Sequence, residues 1–88
     1  MDYNKNYIEA SFNPNELNEI FVKEFIRFRK ENNLTQDLFS KYSGVPREKI
    51  ARIEAGMHSP SILNLLKIIG PIGYTIKIVK VKDKDKYY

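Results

Sequence analysis

A small, mainly α-helical domain with one C-terminal strand is the fold class this chain predicts. Three observations predict it. Amphipathic segments of helical period succeed one another from Glu16 to Ile69. Residues that start or stop helices punctuate them: Asn15, Thr35, Ser43-Gly44, Gly56, Ser59-Pro60 and Gly70-Pro71. After Gly73 the pattern changes to a β-branched, roughly alternating run.

Each element has its own local reason. Residues 1–15 are polar with scattered aromatics (Tyr3, Tyr7, Phe12) and read as an N-terminal arm. Asn15 is a good cap for a first helix from about Glu16 to Asn32, with Glu16 and Glu19 favourable near its positive end. Leu17, Ile20, Phe21, Phe25 and Phe28 form its apolar stripe, and Val22 and Ile26 widen it. That arc exceeds the ~100° a single packed face requires. Either the arm folds back over the excess face, or the excess is a partner surface.

Thr35 caps a helix from Gln36 to Tyr42, and Ser43-Gly44 supplies a tight turn. A third helix begins near Pro46 and stops at Gly56. Ser59 caps a fourth, with Pro60 in its first turn and Ile62, Leu65, Leu66 and Ile69 expected inward. Gly70, Pro71 and Gly73 end it. Residues 16–73 thus form the helical domain. Residues 74–88 form a strand and tail, with Tyr74, Ile76, Ile78, Val79 and Val81 as the strand's apolar residues. No second strand is evident, and a lone strand leaves its backbone groups unpaired. Pairing with the same strand of a second copy, or with a partner's sheet edge, would satisfy them; a frayed tail is the plain alternative.

Bulk properties narrow the classes. Eighty-eight residues, 42% of them apolar, allow one small core. The absence of cysteine removes disulfides and thiolate metal sites. The first residues lack a signal-peptide pattern and the apolar run Ile62–Ile69 is too short to span a bilayer, so a cytoplasmic protein is expected. Net charge is +4, but residues 1–73 hold ten basic and nine acidic side chains. The excess lies in the tail, so charge alone argues little for nucleic acid. No nucleophile–base pair, metal cluster or phosphate-cradling glycine loop is present, so no enzyme and no cofactor are expected.

The informative segment is LTQDLFSKYSGVPREKIARIEAG, Leu34 to Gly56. It reads as two short helices joined by a glycine turn, the arrangement that sets a helix into the DNA major groove. On the second of them Ile50 and Ile53 face one way. Arg47, Glu48, Ala51 and Arg52 face the other, with Lys49 on the flank. Arginine can bond guanine O6 and N7 together, and Glu48 suits a cytosine amino group. An ordinary solvated face is the bland reading of the same stripe. Gln36 and the N–H groups beside it suit a phosphate oxygen. Lys41 is a candidate backbone contact, and His58 lies in a loop whose N–H groups suit another phosphate. Arg29 lies at the edge of the first helix's apolar arc and Glu54 ends the third helix near its inward side, so an ion pair between them would pin the third helix to the first.

These marks resemble the phage-repressor and Cro-type helix-turn-helix proteins, the Xre family. The resemblance covers roughly residues 25–72. It rests on Arg29, Leu34-Thr35-Gln36, Phe39-Ser40, Ser43-Gly44-Val45, Ile50, Ile53-Glu54, Gly56 and Ser59-Pro60-Ser61. It implies a five-helix, lambda-repressor-like domain, with Gln36 on phosphate and Arg47, Glu48 and Arg52 at base edges. Pro46 departs from the family, which usually carries serine or threonine there as a cap. A strand after Gly73 in so short a chain resembles HigA-type antitoxins, dimers that repress their own operon and bind a toxin, commonly an RNA-cleaving one. The expectation is therefore a dimeric repressor that binds palindromic double-stranded DNA and neutralises a toxin. A stand-alone regulator without a toxin is the alternative, and a protein-interaction or RNA-binding module is the third reading.

Overall fold

The computed structural model describes residues 7–57 and 59–83. Along the chain run β1 (Tyr7–Ala10), α1 (Pro14–Glu31), α2 (Gln36–Ser43), α3 (Arg47–Glu54), α4 (Ile62–Ile69), a single 3-10 turn (Gly70–Ile72) and β2 (Lys80–Asp83). The fold is mainly helical, as expected, but the described residues hold four α-helices rather than five. The 3-10 turn after α4 is too short to count as another, since Pro71 within it cannot continue an i→i−4 ladder.

Helix starts are set by side-chain oxygens. Asn13 rather than Asn15 caps α1, its Oδ1 accepting from the Asn15 N–H at 2.8 Å. Pro14 then occupies the first turn, where its missing donor costs nothing. Glu16 reaches back and accepts from the Ser11 N–H at 3.1 Å and from the Ser11 hydroxyl. Thr35 caps α2 by accepting from the Leu38 N–H at 3.1 Å. Ser61, not Ser59, caps α4 by accepting from Asn64 at 3.1 Å. Pro60 therefore precedes that helix instead of opening it.

The core gathers Phe25, Phe39, Ile50, Ile53, Leu65 and Ile68, with Phe21, Phe28, Leu34, Val45, Ile69 and Ile72 packed around them. Phe39 is its centre: its ring lies 5.6 Å from that of Phe25 and 6.1 Å from that of Phe28, tilted in both cases. Such pairs add to what burial alone contributes. The inward face of α4 is rotated from the expected set of Ile62, Leu65, Leu66 and Ile69. Leu65 and Ile68 are buried and Leu66 and Ile69 half-buried, while Ile62 is exposed. Ile62 is the first residue of its helix and stands in a turn that the core does not cover.

The C-terminal strand differs most from expectation. It is four residues long and contains only Val81 of its expected apolar set; Tyr74, Ile76, Ile78 and Val79 precede it. It also has a partner within the chain. Tyr7–Ala10, read as part of a polar arm, is a strand and pairs with it in parallel, Tyr7 opposite Lys80 and Glu9 opposite Lys82. Parallel pairing requires a long crossover, and the whole helical domain provides it. The Lys82 ammonium lies 4.8 Å from the Tyr7 ring centroid, within cation–π range. Tyr74 packs edge-on against Phe28 of the α1 stripe at 4.6 Å, while Val22 and Ile26, which widen that stripe, stay half-buried. Among the described residues, no helix is long and apolar enough to cross a membrane.

Candidate nucleic-acid interface

The turn between α2 and α3 is built by two serines and a glycine. Gly44 ends α2 at φ 73°, a left-handed conformation that glycine adopts without a Cβ penalty, and its N–H donates to the Ser40 carbonyl at 2.9 Å. The Ser40 hydroxyl donates to the Val45 carbonyl at 2.6 Å. The Ser43 hydroxyl accepts from the Val45 N–H at 3.1 Å. These bonds fix the angle at which α3 leaves the turn. The sequence marks Ser40 only as part of the family resemblance; its bond to the part-buried Val45 carbonyl, five residues on, follows from the turn geometry.

Pro46 stands at the start of α3 and offers no side-chain cap. Its carbonyl accepts from Lys49 at 3.0 Å and Ile50 at 3.3 Å, so the helix begins cleanly at Arg47. It ends in a Schellman motif: the Gly56 N–H donates to Ile53 and the Met57 N–H to Arg52, at 3.0 and 2.9 Å. Gly56 takes φ 74° there.

Ile50 and Ile53 are fully buried and anchor α3. Arg47, Glu48 and Arg52 are exposed on the other side, with Lys49 and Ala51 half-buried between. Lys41 is exposed in the last turn of α2. His58 lies outside the described residues.

Arg29 fixes the back of this helix. Its Nε and Nη2 donate to the two oxygens of Glu54 at 2.6 and 2.9 Å, and its Nη1 donates to the Leu34 carbonyl at 2.8 Å. The two side chains are 12% and 7% exposed, so the pair is shielded from water. Gln36 joins it, its Nε2 donating to Glu54 at 3.2 Å. Three helices are thus tied at one carboxylate. Gln36 was expected to face outward to a phosphate; its side-chain amide is directed inward to Glu54. The backbone N–H groups at the start of α2 remain beside it.

Arg47 is expected at a base edge, and in the structure it has a neighbour on α2. Its Nε stands 3.0 Å from Oδ1 of Asp37, in the first turn of α2. Sequence spacing carries no sign of this pair, because the turn alone brings the two helix starts together. The residues that the sequence assigned to the strand, Tyr74, Ile76 and Ile78, are exposed and Val79 and Val81 half-buried.

Two helices at a glycine turn, one anchored behind and polar in front, define a class: helix-turn-helix domains. A helix-turn-helix family model matches residues 26–79. A Haemophilus influenzae protein described as an uncharacterized HTH-type transcriptional regulator is 35% identical over 79 residues, spanning 84% of this chain and 81% of its own. No solved structure matches the chain. The chain belongs to the Xre-type helix-turn-helix family, whose domains bind DNA.

Proposed function

We propose that the protein is a sequence-specific transcriptional repressor that sets α3 into the major groove of operator DNA as a homodimer. One observation carries this reading: α3 is held from behind by the largely shielded Arg29–Glu54 pair and presents Arg47, Glu48 and Arg52 outward on one face. A rigid helix with a polar outer face meets the geometric demand of base readout. The uncapped start of α3 at Pro46 leaves N–H groups suited to a phosphate, as does the start of α2 beside Gln36. Lys41 and Lys49 flank the same face in sequence and complete the proposed contact set among the described residues. One such module buries little surface on DNA, and a two-fold pair doubles it.

Selection of bound duplexes from a random pool tests the proposal. The expected product is a near-palindrome with half-sites about 34–36 Å apart. Affinity for it should fall steeply with salt, because phosphates release counterions. Failure to enrich any sequence overturns the proposal.

The finer reading is an antitoxin of HigA type, with a toxin partner that cleaves RNA. Its support is the β1–β2 sheet. No strand residue belongs to the helical core cluster, and Ile76 and Ile78 are exposed on the approach to β2. A two-stranded sheet gains stability from a third strand or a packed partner. Co-purification with the product of a neighbouring small basic reading frame tests it; a stand-alone regulator would capture none.

A further inference from the structure

Asp37 is the second residue of α2 and Arg47 the first of α3. Their ion pair, Nε to Oδ1 at 3.0 Å, bridges the starts of the two helices that would approach the duplex. Both side chains are in water, 80% and 58% exposed. An exposed pair of this kind adds little to stability. Its consequence lies instead in what the carboxylate does to an arginine facing a polyanion.

A free arginine binds any phosphate and so raises affinity for every sequence alike. Beside Asp37, Arg47 is already partly neutralised. A phosphate must then compete with a carboxylate for the guanidinium. A base edge offers a different exchange. Guanine O6 and N7 accept two donors of the guanidinium fork at once and repay its release. The carboxylate thus penalises sequence-independent binding more than operator binding, the repulsive element through which many interfaces gain specificity.

Resting on the DNA-reading role proposed for α3, we infer that Asp37 is a specificity-determining residue that acts through Arg47. It is a positioning residue and need not touch the operator bases.

The test compares the full chain with Asp37→Asn, Arg47→Ala and the double variant. Each is titrated with a random-sequence duplex and with the duplex that wild type enriches from a random pool. Both side chains are exposed, so unfolding midpoints should stay close to wild type. Asp37→Asn should tighten the random duplex roughly two- to fivefold, the scale of one exposed charge interaction. The enriched duplex should change less, so the specificity ratio narrows. In the Arg47→Ala background the effect of Asp37→Asn should largely vanish. Equal tightening of both duplexes, or the same tightening without Arg47, overturns the inference and leaves the reading helix standing. Failure of wild type to enrich any duplex overturns the reading helix and this inference together.

Discussion

The guanidinium of Arg29 on α1 grips both carboxylate oxygens of Glu54 on α3, at 2.6 and 2.9 Å, while its third nitrogen holds the Leu34 carbonyl. That single contact couples the long helix, the entry to α2 and the end of α3. Because both side chains are almost fully shielded, removing one partner strands the other charge. Glu54→Ala or Arg29→Ala should cost about 3–5 kcal/mol in urea unfolding. Replacing both together by apolar residues of similar volume should cost less than either single change. A loss under about 1 kcal/mol in the single variants would show that the pair is not stranded by its neighbour's removal.

The turn should be sensitive in a different way. A Cβ on Gly44 meets nothing within 4 Å, so Gly44→Ala tests the backbone alone. At φ 73° the expected cost is about 1–2 kcal/mol. Ser40→Ala should cost about 1–3 kcal/mol, because the Val45 carbonyl loses its donor. Thermal unfolding of the two variants checks both. Unchanged midpoints would mean the turn is not held by these groups.

The helical domain was legible because its signals are local. Thr35, Gly44 and Gly56 act within one turn of where they stand, and the places of Phe25, Ile50 and Ile53 in the core follow from helical period. The Arg29–Glu54 pair was legible from the two residues' places on their helices, with the family spacing in support, although twenty-five positions separate them. What the sequence hid is non-local. Tyr7–Ala10 is a four-residue strand with one charge and no clean alternation, and only its distant partner Lys80–Asp83 makes it a strand. The inward turn of Gln36 and the Asp37–Arg47 pair depend on the angle between α2 and α3. Cap positions slipped by two residues, at Asn13 and Ser61, because neighbouring residues of the same type compete for the same role.

The terminal sheet gives a prediction about assembly. A chain ending at Gly73 keeps every residue of the helical core cluster but loses the Tyr74 ring on Phe28, so it should keep most of the helical circular dichroism of residues 14–72 with a lower unfolding midpoint. If the sheet completes itself across a two-fold axis, that shorter chain should sediment as a monomer at concentrations where the full chain is a dimer. Equal dimerisation of both would move the interface onto the helices.

The decisive measurement is the sequence preference of Arg47→Ala and Arg52→Ala, each selected against a random duplex pool beside wild type. Both side chains are exposed, so both variants should fold as wild type does. Each should relax the preference at a defined pair of symmetry-related positions and lose about 1–3 kcal/mol on the wild-type site, with weaker loss elsewhere. An unchanged preference in both variants would contradict the assignment of α3 as the reading helix.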